Sequence, residues 1–340
     1  MHDSSVDRSI IASNEPTYSM EALEPRQLLS STFHMFPLAT GSHPDKVITG
    51  LDGSIYVFEH GANELARLRP HGTAFQLIPV PASFDTVHFG MVLSAHGDVY
   101  FSVHDGIGAY SPKFNSVTII PLTYTPNDFA PGPDGNLWFT SPDNSTIGRM
   151  TLTKRGQFVK NATVATWTVP SFNNTGNGIV ESALTKGPKG DLWFTENAPG
   201  IVAQIIPTKG GTPVINEFAL PNAASGPLGI AIGRDGNVWF AETTGNAIGR
   251  INEKTKVITE FAVPRAGSTP FWISPGPDNA LWFTEISGDH LGRITYGGII
   301  TESDAVPGGA GAGLSSDIKG PRHTILFTER DHDAVGELLI

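Results

Sequence analysis

One unit recurs along this chain, and it limits the fold more than any other feature. Its clearest copies begin at Gly132 (GPDGNLWFT), Gly187 (GPKGDLWFTE), Gly233 (GRDGNVWFAE) and Gly276 (GPDNALWFTE). Weaker copies stand at LDGSIYVFE from Leu51, AHGDVYFSV from Ala95 and GPRHTILFTE from Gly320. The anchoring position is then Tyr56, Tyr100, Trp138, Trp193, Trp239, Trp282 and Leu326, at spacings of 44, 38, 55, 46, 43 and 44 residues. A unit of this length cannot bury its apolar face alone, so the copies must stack on one another. The best-preserved copy divides into short strands at 228–232, 237–242, 247–252 and 257–263, parted by Arg234-Asp235-Gly236-Asn237 and Thr243-Thr244-Gly245-Asn246. The first turn has a glycine to supply positive φ, and the strands are rich in aromatic and β-branched residues. Seven units of four strands predict an all-β, seven-bladed β-propeller.

The strand count also predicts how the ring closes. Outer strands are expected near 74–80, 116–122, 164–169, 213–220, 257–263 and 299–306, which is six for seven units. The missing outer strand is supplied by Phe33-His34-Met35-Phe36-Pro37-Leu38, pairing with 334–339 and protecting an open sheet edge. Residues 33–340 then form the propeller, and the polar residues 1–32 are read as a disordered or targeting tail. Within that tail, Leu23-Glu24-Pro25-Arg26-Gln27-Leu28-Leu29 resembles the LEPR-x-LL segment found near the N-terminus of many predicted surface and secreted bacterial proteins. That resemblance implies an extracytoplasmic address, secreted or at the cell surface.

Composition removes several function classes. There is no cysteine, which excludes disulfides and thiolate chemistry. A net charge of −11 argues against a nucleic-acid partner, and no apolar run is long enough to span a bilayer. The chain is expected to act as a monomer on a small molecule, peptide or glycan at the mouth of its channel.

In a propeller the first strand of each blade lines the channel and the second returns, so the start of one and the end of the other share a face. Eight positions before the turn glycine or its equivalent stand Asp45, Phe89, Asn127, Ser182, Leu228, Phe271 and Ser315. Of these, Phe89, Asn127, Leu228, Phe271 and Ser315 are the expected ligand contacts. Three positions after the anchor stand Glu59, Val103, Ser141, Glu196, Glu242, Glu285 and Glu329. Five glutamates around a channel would repel unless protons, arginines or a cation compensate. Glu196, Glu242, Glu285 and Glu329 are therefore candidate metal ligands, with Mg2+ suited to one or two carboxylates and retained waters. Glu242 and Glu285 are also candidate bases. The opposing expectation ties each glutamate to neighbouring backbone or to Arg149, Arg250 or Arg293 of the IGR segments.

The repeated GPDGxLWFTE, the following NxIGRI and the PLGIAIG of residues 227–233 closely resemble the virginiamycin B lyase family, from about Phe33 to Ile340. The resemblance implies a seven-bladed propeller that opens a cyclic depsipeptide at its ester by elimination with Mg2+. It further implies a histidine that removes the proton beside the carbonyl and carboxylates that hold the metal. The positions matching the two family histidines are Phe271 and Ser315, and the position of the accompanying glutamate is Gly313. Glu329 matches the remaining carboxylate. A binding propeller and a diverged carbon–oxygen lyase are the two functions these residues leave open.

Overall fold

The computed structural model describes residues 32–83, 90–141, 145–152, 162–171, 182–209, 211–307, 314–315, 324–329 and 332–340. These form seven sheets, each of four antiparallel strands. Six blades run from innermost to outermost in chain order, from Pro44–Thr49 to Gln76–Pro79 in blade 1 through Pro270–Pro275 to Ile300–Glu302 in blade 6. Their outer strands fall inside the six expected windows, for example Val214–Ala219 and Ile258–Ala262.

Blade 7 takes its outer strand from the other end of the chain. Thr32–Pro37 pairs antiparallel with Ala334–Leu339, with Phe33 opposite Leu338 and Phe36 opposite Val335. The expected strand is thus present and begins one residue earlier, at Thr32. Phe33 and Met35 pack beside Trp282 of blade 6 and Phe327 of blade 7, whereas Phe36 and Leu38 join Val47 and Val57 of blade 1. The seam is tied again by Asp333, whose carboxylate accepts from the amides of Gly41 (2.7 Å) and His43 (2.8 Å). Although partial burial opposes it, those bonds hold the Asp333 carboxyl below its ordinary range.

Between blades lie apolar clusters that each draw on two neighbours, as where Trp138 and Ile147 of blade 3 meet Leu184 and Phe194 of blade 4. Alternation along the second strand puts the Trp and Thr of WFTE on one face and the Phe and Glu on the other. The Phe ring lies over the third strand, which explains the glycine of IGR. A Cβ at Gly108, Gly148, Gly249, Gly292 or Gly336 would fall inside the ring of Phe101, Phe139, Phe240, Phe283 or Phe327. The Trp is held at the tight-turn end. Trp138, Trp239 and Trp282 donate their indole N–H to Asp134, Asp235 and Asp278 at 3.0–3.2 Å. Facing arginines complete the unit: Arg293 bonds Asp278 at 2.5 Å, Arg149 stands 3.6 Å from Asp134, and Arg250 lies over the Trp239 ring. In blade 4 the acid moves to Asp191 and Gln204 replaces the arginine, with the Trp193 bond kept at 2.9 Å.

Candidate functional site in the central channel

The glutamates do not line the channel. Glu59, Glu196, Glu242, Glu285 and Glu329 are at most 1% exposed. The reason is topological: the second strand is one strand removed from the channel, and its Phe–Glu face packs over the third strand. A Cβ at Gly249 would come within 2.8 Å of Glu242 Oε1, and one at Gly288 within 3.0 Å of Glu285 Oε2. The expected acidic rim is therefore corrected to five separate buried carboxyls. Among the described residues, Ser171 donates to Glu196, while Glu59, Glu242 and Glu329 each keep a buried oxygen with no hydrogen-bond partner. Burial pushes Glu59, Glu196, Glu242 and Glu329 up to about 7, helped by nearby acids such as Glu64 beside Glu59 and Asp289 beside Glu329. Arg149, Arg250 and Arg293 stand at the tight-turn end with the aspartates, so the alternative arginine partners are not supplied either.

The other candidate ring is only partly at the channel. Asn127 is buried and donates to the carbonyl of Ser182 in the next blade. Leu228 is 2% exposed, and its carbonyl accepts from Thr195 of the preceding blade at 2.7 Å. These are blade-to-blade fastenings. Phe271 is half-buried at a bulge between Pro270 and Ile273 and meets Trp272 edge-on, with ring centres 5.8 Å apart. Phe89, Gly313, His88 and His323 lie outside the described residues. Ser315 is in the innermost strand of blade 7, paired with Thr328.

Two groupings were not expected from the sequence. Nδ1 of His60 meets the Asp45 carboxylate, both nearly buried, and the His43 ring stacks on His60 at 5.7 Å. His60 follows Glu59 at the end of a second strand, so it belongs to the face where the family resemblance seeks its base. Deeper in, Lys46 of blade 1, Asp128 of blade 3 and Trp272 of blade 6 converge across the channel. Lys46 Nζ lies 3.7 Å from the Trp272 ring centre and 3.8 Å from Asp128 Oδ1. Counting seven positions before the turn residue, rather than eight, gives Lys46, Gly90, Asp128, Ala183, Gly229 and Trp272. That count carries the signal: three large polar or aromatic residues among glycine and alanine. Below them a cavity of about 430 Å³ extends toward the tight-turn end, where Pro131, Lys186, Ile232 and Pro275 close the first strands.

Comparison with known proteins now places the chain. Its sequence matches the virginiamycin B lyase family over residues 31–258 and again over 157–339. The chain belongs to that family. Among solved structures, it resembles a catalytically inactive histidine-to-alanine variant of virginiamycin B lyase from Staphylococcus aureus, with quinupristin. The identity there is 28% and the TM-score 0.79, with 92% of this chain and 100% of the other covered. A streptogramin B lyase structure gives 28% identity and a TM-score of 0.77 over 91% of this chain and 97% of that one. A gluconolactonase from Xanthomonas campestris, at 13% identity and a TM-score of 0.54 over 91% and 89%, shares the fold alone. No curated protein matches the sequence. Among the described residues no helix is long and apolar enough to cross a membrane.

The magnesium implied by the family does not fit the described residues. No three or more His, Asp or Glu among them are placed to hold a metal ion. Glu329 keeps one buried oxygen with no hydrogen-bond partner there, but Phe271 offers no donor at the matching histidine position. Glu196, Glu242, Glu285 and Glu329 are each buried and are not gathered with other acids or histidines among the described residues into a set that could hold a metal.

Proposed function

We propose that this virginiamycin B lyase-family propeller binds a ligand at its channel face and does not carry the family's elimination machinery. One observation carries this reading. At the position where the family resemblance implies an imidazole, Phe271 presents a half-exposed ring braced by Trp272. A phenyl ring cannot accept a proton, but it can cover an apolar part of a ligand. The partner is a small molecule, peptide or glycan, and the resemblance at residues 23–29 supports an extracytoplasmic setting.

A second reading rests on His60 and Asp45. A carboxylate on Nδ1 leaves Nε2 of a neutral imidazole as the proton acceptor, the arrangement a general base needs. In a diverged lyase that base would take the proton from the carbon next to the one bearing the ester oxygen; the freed electron pair would form a carbon–carbon double bond as that carbon–oxygen bond breaks and the carboxylate leaves.

Incubation with quinupristin separates the two. Elimination leaves the mass unchanged and alters retention, whereas hydrolysis adds one water. The binding reading expects no conversion and saturable binding of some extracellular ligand that Phe271→Ala weakens. Rapid conversion that His60→Ala abolishes would replace it with the diverged lyase.

A further inference from the structure

Lys46 is placed as a receptor for an anion. It is 9% exposed, and its ammonium faces the channel cavity. An ammonium has three N–H donors, yet among the described residues no acceptor lies within hydrogen-bond distance. Asp128 is the nearest carboxylate at 3.8 Å, beyond a hydrogen bond, and its other oxygen already accepts from the amide of Leu184 at 2.9 Å. The Trp272 face supplies the remaining attraction. Facing the open channel, this ammonium can exchange solvent for an anionic group that uses its remaining donors.

The cavity says what kind of group that is. Its volume of about 430 Å³ falls within the range of small-molecule sites. Its wall mixes the apolar groups of Met91, Ile230 and Trp272 with nearly as much polar surface, to which Thr185, Ser274 and the exposed Lys186 contribute nearer the tight-turn end. We propose that the channel binds a small organic monocarboxylate, its carboxylate on Lys46 and its apolar body along Trp272. Asp128 selects for a single negative charge, because a dianion beside it is repelled. Gly90 and Gly229, at the same count along their strands, let neighbouring blades approach closely there: a Cβ at either would run into the backbone of the next blade. This site shares Trp272 with the rim but not Phe271, so Lys46→Met tests it while Phe271→Ala tests the functional reading, and either can fail without the other.

Calorimetric titration of the full chain with benzoate and with benzamide, its neutral analogue, provides the test. Benzoate binds saturably and at least tenfold more tightly than benzamide or inorganic phosphate. Lys46→Met removes that preference, and Lys186→Met weakens benzoate two- to threefold. Asp128→Asn keeps an acceptor for Leu184 but removes the competing charge, so it tightens benzoate severalfold, a gain that a purely structural role would not produce. Equal binding of benzoate and benzamide, tighter binding of phosphate, no gain from Asp128→Asn, or no saturable heat would each overturn the proposal.

Discussion

Blades 1, 4, 5 and 6 carry an acid at either end, and across the ring the two ends treat their acids differently. At the tight-turn end Asp134, Asp235 and Asp278 accept from a Trp indole, and in blades 3 and 6 an arginine stands beside the same carboxylate. At the other end Glu59, Glu242 and Glu329 are buried with an oxygen unmatched among the described residues, and burial raises them to about 7. The contrast shows that a repeated acid is not a repeated function. The aspartates are paid for locally by donors from the same repeat, whereas the glutamates leave the fold sensitive to whether they hold a proton.

Opening the ring is the most severe way to break this comparison, because it strips packing from both ends at once. Removal of residues 1–38 is expected to abolish the cooperative melt, and removal of 1–31, which spares Thr32–Pro37, to retain it. Equal melting temperatures would show that the closing strand does not hold blade 7.

Next in size is the loss of one satisfied acid. Asp278→Ala strands the Trp282 indole and the Arg293 guanidinium together and should cost about 2–4 kcal/mol in denaturant unfolding. A cost under about 0.5 kcal/mol, the range of an ordinary surface change, would mean the triad is decoration.

The glutamate end responds to pH instead. Folded carboxyls that release protons near 7, against the ordinary 4.5, bind more protons than the unfolded chain between those values. Stability is therefore fully present below about pH 4.5 as far as these groups go, and it is lost as pH rises through about 7. Melting temperature should climb by several degrees between pH 8 and pH 5.5. A flat profile would show that other groups satisfy these carboxylates. In the same sense Glu242→Gln should stabilise by about 1–2 kcal/mol at pH 8 and by little at pH 5, since about 1.4 kcal/mol accompanies each pKa unit.

The smallest expected effect belongs to metal. With the candidate ligands individually buried and not grouped among the described residues, Mg2+, Ca2+ and EDTA should leave the melt unchanged. A saturable rise with one cation would show that residues beyond those described complete a site.

What the sequence determined alone was the repeat and everything that follows from its phase: seven units, the turn glycines, the position of each outer strand and the need for Thr32–Pro37 to close blade 7. These are local or periodic properties, and the chain writes them in order. The site was less legible. WFTE repeats visibly, but whether its Glu faces the channel depends on which strand it occupies and on the Phe-over-Gly packing that turns that face into the blade. Asp45 and His60 are fifteen residues apart and never looked like a pair. Lys46, Asp128 and Trp272 come from blades 1, 3 and 6, so no spacing along the chain relates them. Their meeting was decided by closure of the ring, which brings side chains distant in sequence to one axis and makes the charge of one the environment of another.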